Sequence, residues 1–227
     1  MKLDPLLLPV LKNFVKINPN IIFEKGNIVK TISPHSKVFA TATLQESFPV
    51  EFGIYDLKQF INIIDLHRAH DVEFTFNEHS VTIASKLGKV NYMFAETSVL
   101  TSFKSARNKN VKLPSCDATF KLTKNDLDAV ISFAATLNLE HLVFSWDGND
   151  LTVKTYDIKN DTSNVFEKQI EGIQTTLQAF TVVLDISVLD LLPDDYVVNI
   201  SKSKLVQFEG QFASYIVVCE AKKSEII

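Results

Sequence analysis

Leu7, Val10, Leu11, Phe14 and Val15 recur at the three- and four-residue spacing of a helix with one apolar face. Asp4 is placed to cap that helix, Pro5 fits its first turn, Pro9 lies near its start and Pro19 ends it. Lys12 and Lys16 then share the polar side. The run IIFEKGNIVKTI predicts a hairpin around Lys25-Gly26-Asn27, residues 37–44 alternate as a strand, and Val50, Phe52 and Ile54 form another short run. Asp56 caps a second predicted helix with Leu57, Phe60, Ile61 and Ile64 inward. A meander over residues 72–76, 80–85 and 89–94 follows.

The polar, basic residues 97–114 lose this periodicity and read as a linker. Beyond it the order begins again. A strand at residues 118–122 leads to Thr123, which with Asp126 suits a capping box for a helix over residues 124–137. Strands are expected at 141–146, 150–156 and 165–170, with Asp147-Gly148 as a hairpin signal. A strand at 180–184 precedes a short helix at 186–192 that Pro193 stops, then strands at 196–200, 205–209 and 214–219.

Two stretches share one layout. Asp56, Leu57, Ile61, Phe74, Phe76, Val81, Thr82 and Ile83 stand 70 positions before Asp126, Leu127, Ile131, Phe144, Trp146, Leu151, Thr152 and Val153. An internal repeat explains this spacing; two unrelated helix-then-hairpin units of similar size would share some of it. Helix-then-three-strands occurs four times, which predicts an α+β chain of two similar domains, residues 1–110 and 111–227, each with two helices on antiparallel sheet.

Composition supports a folded core, with 46% hydrophobic residues and 17 Phe in 227. The formal charge of −4 is uneven: residues 1–112 carry 14 Lys and Arg against 10 Asp and Glu, or +4, and residues 113–227 carry 9 against 17, or −8. That balance argues against a tight nucleic-acid binder while allowing a weakly basic face. No apolar window reads as a membrane span or a convincing signal peptide. Cys116 and Cys219, alone in their regions, fit a reducing compartment.

Catalytic signals are scarce. The six glycines are isolated, so no phosphate-binding loop is expected, and neither cysteine has metal-ligand spacing. His67, His70 and Asp71 form one cluster with possible metal spacing, set against the dipole preference of such residues for helix C-termini. Cys116 lacks a nearby base, and the Asp126/Asp128 and Asp194/Asp195 pairs sit in an early helical turn and a loop. The expectation is a protein with no catalytic, cofactor or metal residues.

The segments VLKNFVKINPNIIFEKGN (residues 10–27), FPVEFGIYDLKQFINII (48–64) and VQFEGQFASYIVVCEA (206–221), in this order and at this length, resemble the sliding clamps of T4-like bacteriophages. The resemblance implies a clamp fold closed into a homotrimeric ring around duplex DNA, with helices lining the hole and sheets outside. It further implies sequence-independent DNA binding, tethering of the replicative DNA polymerase, opening by a clamp loader, a role in phage late transcription, and the cytoplasm of an infected bacterial host. Candidate DNA-facing residues are Lys12, Lys16, Lys58, Arg68 and Lys124 on polar helix faces, with Lys104, Arg107, Lys109 and Lys112 from the linker. Lys121 and Lys202 are further possible contributors from the acidic half. The alternative is a two-domain protein-binding scaffold that does not encircle DNA.

Overall fold

A computed structural model describes residues 1–100, 111–160 and 162–227. The chain divides into two compact units, Met1–Val111 and Lys112–Ile227.

Unit 1 contains α1 (Leu7–Ile17), β1 (Ile21–Phe23), β2 (Gly26–Ile32), β3 (Val38–Phe48), β4 (Phe52–Ile54), α2 (Leu57–His67), β5 (Glu73–Phe76), β6 (Ser80–Ser85) and β7 (Gly88–Met93). Helix α1 packs on α2, β2 and β3, and α2 packs on β6. Leu7, Val10, Leu11 and Phe14 of α1 and Leu57, Phe60, Ile61 and Ile64 of α2 are buried, as their spacing predicts. Aromatic rings fill the space beneath: Phe23 stacks on Phe52 at 4.6 Å between centroids, and Phe52 on Phe94 at 4.9 Å. Gly53 permits this closeness, because a Cβ there would lie 2.8 Å from the Ala95 carbonyl oxygen.

One expectation for unit 1 holds in part and another needs correction. Asp4 Oδ1 accepts from the Leu6 amide at 2.8 Å, capping the turn that leads into α1, although Leu6 itself, just before the helix, makes no side-chain cap; Asp4 Oδ2 accepts from the Gln45 and Glu46 amides at 2.5 and 2.8 Å. The buried carboxylate thereby ties the chain start to β3. The hairpin around Gly26 is not formed: β1 pairs with β4, Phe23 opposite Phe52, and β2 pairs with β3. All three residues of β1 are buried, and so are all three of β4, so this two-stranded ribbon is covered on both of its faces.

Unit 2 contains β8 (Ala118–Leu122), α3 (Lys124–Leu137), β9 (His141–Trp146), β10 (Leu151–Thr155), β11 (Phe166–Ile170), β12 (Gln174–Thr175), β13 (Phe180–Asp185), β14 (Tyr196–Ser201), β15 (Leu205–Glu209), β16 (Ala213–Val218) and β17 (Glu225–Ile226). One antiparallel sheet runs β11-β10-β9-β13-β17, and β12, β8, β14, β15 and β16 are neighbours in that order in another. Helix α3 begins at the predicted capping box of Thr123 and Asp126 and ends with Asn138 in the left-handed region at φ 55°. It packs on β9, β10 and β11 through Leu127, Val130 and Ala134.

The 70-residue repeat extends to strand register. Phe74 faces Ile83 and Phe76 faces Val81 across β5 and β6; 70 positions on, Phe144 faces Val153 and Trp146 faces Leu151 across β9 and β10. The repeat breaks at the expected fourth helix, where only a 3-10 turn forms at Ile186–Val188. Asp185 caps that turn, but the Leu192 amide donates to the Tyr215 hydroxyl at 3.2 Å and its carbonyl accepts from the Tyr196 hydroxyl at 2.5 Å. Both tyrosines are buried, so tertiary bonds take the backbone groups a helix would have used. Pro193 and the β-branched Ile186 and Val188 add to the bias. Unit 2 thus has one α-helix among its described residues.

Candidate nucleic-acid interface

The outward side of α1 and α2 is a cationic surface built by default. Each helix buries its apolar stripe, which leaves Lys12 and Lys16 of α1 and Lys58 of α2 exposed. Asp56 caps α2 by accepting from the Gln59 amide at 2.8 Å, and Arg68 terminates it. Asp65 of α2 ties the two helices together. Asp65 Oδ2 accepts from Lys12 Nζ at 2.9 Å, and Arg68 Nε lies 3.1 Å from Oδ1, close enough to attract but without hydrogen-bond alignment. The Lys12 hydrogen bond, aided by the charges of Arg68 and Lys12, outweighs partial desolvation and holds the Asp65 carboxyl below the usual range. Asp65 was absent from the sequence-level list. Its spacing of three from Arg68 was readable, whereas its bond to Lys12 spans 53 residues and needed the fold.

The corresponding surface of unit 2 differs. Lys124, the first residue of α3, is exposed, forms an ion pair with Asp128 one turn on, and donates its backbone N–H to Asp195 Oδ1 at 2.7 Å. Burial pushes the Asp126 carboxyl up, but the bonds from Lys168 and Thr123 prevail and hold it below the usual range. Phe133 is 47% exposed and stacks on Phe166 at 4.3 Å. Lys112, Lys121 and Lys202 are exposed but lie outside helices; the Lys202 amide donates to Asp117 Oδ2 at 2.8 Å. Lys104, Arg107 and Lys109 lie outside the described residues.

The remaining polar clusters serve the fold. His67 is buried with Nδ1 2.7 Å from Ser85 Oγ, a tie between α2 and β6. Among the described residues no group of three or more His, Cys, Asp or Glu could hold a metal ion. Burial and the Asp117 charge raise the Cys116 thiol, and burial pushes Cys219 up to about 12, so both stay protonated at neutral pH. Asp194 holds the Gln211 amide at 2.6 Å. No helix among the described residues is long and apolar enough to cross a membrane.

Residues 2–97 match the sequence family described as DNA polymerase processivity factor. Over 224 residues the chain is 27% identical to the sliding clamp of Vibrio phage KVP40, covering 97% of this chain and 100% of the relative. It is 22% identical to that of Enterobacteria phage T4, with 97% of each covered. The chain is a distant homologue of sliding clamps. The homology reaches this group as a whole and does not single out the T4-like members. Solved structures agree on the fold: an A. fulgidus PCNA bound to the C-terminal region of FEN-1 superposes with a TM-score of 0.71 at 13% identity over 95% of each chain. The Helicobacter pylori β clamp bound to a DNA ligase peptide gives 0.68 at 14% identity, covering 96% of this chain and 66% of that one. The α+β fold is therefore of the clamp and PCNA type.

Proposed function

We propose that the protein is a DNA sliding clamp of the T4-like kind: three copies close into a ring around duplex DNA and tether the replicative polymerase. It acts without catalysis. The observation that carries this reading is the exposed surface of α1 and α2, which presents Lys12, Lys16, Lys58 and Arg68 on a fold of clamp type, two of them paired with Asp65. A ring held by topology needs only weak phosphate contacts, since each tight one adds counterion release and drag. Mild basicity in one unit and net acidity elsewhere suit that mode.

Ring closure asks for strand edges open to another copy. Among the described residues β7 ends one sheet of unit 1 and β11 ends one sheet of unit 2. Beside β7 lies a groove of about 500 Å³ lined by Tyr55, Ile63, Tyr92 and Met93; beside β11 stands the Phe133–Phe166 stack. These are the surfaces the proposal assigns to assembly between copies. Loading by a clamp loader, a part in phage late transcription and residence in the cytoplasm of an infected bacterium complete the reading. Partner proteins dock by short tails.

The test is topological. Protein loaded on a circular plasmid leaves when the plasmid is linearised and stays when it is only nicked. Equal retention on open ends rejects encirclement and leaves the non-encircling scaffold.

A further inference from the structure

In each unit, cations of the candidate helices are paired with carboxylates of their own unit. Lys12 and Arg68 share Asp65, and Lys124 is held by Asp128. The pairs are reachable from solvent: the side chains of Lys12, Asp65 and Arg68 are 45%, 32% and 60% exposed. Exposed pairs of this kind are weak and exchange readily. A phosphate arriving at Lys12 therefore competes with a carboxylate already seated there and cannot simply replace a loose counterion.

We propose that Asp65, seconded by Asp128, limits the protein's grip on DNA: these carboxylates are positioning residues that keep the helix cations in exchangeable ion pairs, so that phosphate contacts stay brief. This rests on the reading of α1 and α2 as the DNA-facing surface. Its physical basis is counterion release, in which each phosphate neutralised by a protein cation steepens the salt dependence of binding by about 0.9 in log–log slope. A cation shared with a carboxylate contributes less than that. Removing the carboxylate charge releases the full contribution of its partners. Asp65 ties α1 to α2, so the same contact also has a purely structural meaning, and the readout must separate the two.

The experiment compares full-length wild type, Asp65→Asn, Asp65→Glu and the double variant Asp65→Asn with Lys12→Gln. Fluorescence anisotropy with a short labelled duplex across a salt series reports the slope, and a melting curve reports stability. Asp65→Asn is expected to bind several-fold tighter at low salt, with a slope steeper by about 1 to 2. Asp65→Glu keeps the wild-type slope, and the added Lys12→Gln takes back about 1. Asp128→Asn, in the other unit, is an independent arm with an expected steepening of about 1, and it decides the matter if Asp65→Asn does not fold. Wild-type slope and affinity in the Asn variants, whatever their melting temperatures, overturn the inference and leave Asp65 as a helix tie. Absence of duplex binding at the lowest salt by wild type and variants alike overturns the underlying DNA-facing reading as well.

Discussion

The helices of unit 1 present Lys12, Lys16, Lys58 and Arg68, the first and last sharing Asp65, whereas α3 of unit 2 presents Lys124, held by Asp128, and the exposed ring of Phe133. Beneath these unlike surfaces the two units share a hairpin register, with Phe74 on Ile83 repeated as Phe144 on Val153. The contrast separates two kinds of constraint. A one-residue slip in a half-buried sheet sends every side chain to the wrong face, so the buried pattern is held tightly. Exposed helix positions contribute little to stability and are free to take whatever charge function requires. The surface of unit 1 carries the case for DNA, and that of unit 2 carries little of it.

The largest expected effect breaks or upholds that asymmetry directly. Replacing Lys12, Lys16 and Lys58 together by Glu should lower the salt slope of duplex binding by about 2 to 3, at about 0.9 per contact and less for Lys12 while Asp65 holds it, whereas Lys124→Glu lowers it by less than about 1. Sedimentation should show both variants assembling like wild type. Equal losses from the two sets would place DNA against both units alike.

Next in size are the cores. Phe23→Ala in unit 1 and Phe144→Ala in unit 2 remove fully buried rings and should each cost about 3–5 kcal/mol in denaturant unfolding. Hydrogen exchange should localise each loss to its own unit, since the two clusters stack on different partners.

Acid should separate the units more gently. Bonds from the Ser115 hydroxyl and the Lys202 amide lower the Asp117 carboxyl, amides of Asp150 and Asn149 lower Asp147, and Asp126 is lowered as above, all in unit 2; Asp65 is lowered in unit 1. A carboxylate depressed in the folded state contributes stability that is complete above the unfolded value of about 3.9 and lost as pH falls through its lower folded value. Unit 2 should therefore lose more stability below about pH 4. Trp146, the single tryptophan, reports on β9 of that unit, and its fluorescence should shift before tyrosine signals of unit 1 do. Coincident transitions would contradict this. Smallest is the cap: Thr123→Ala should cost about 1 kcal/mol and fray the start of α3.

Much of the fold was readable because the deciding forces are local. The α3 capping box, the inward stripe of α2 and the meander of unit 1 follow from spacing and turn residues. What was missed or misread depended on distant partners: the second tie of Asp4, to amides of β3, β1 choosing β4 over β2, and two tyrosines claiming the backbone of Leu192. The candidate surface follows the same division. Lys12, Lys16 and Lys58 could be placed from helical phase, while Asp65 became visible only when the fold brought α1 and α2 together.

The central claim, that the α1 and α2 surface of unit 1 faces the duplex, is tested most directly by site-specific photo-crosslinking of protein loaded on circular DNA. A photoreactive group at position 16 or 58 should cross-link DNA, and one at position 75, exposed on β5 opposite Thr82, should not. Cross-links from position 75 equal to those from the helices, or none from positions 16 and 58, would contradict the account.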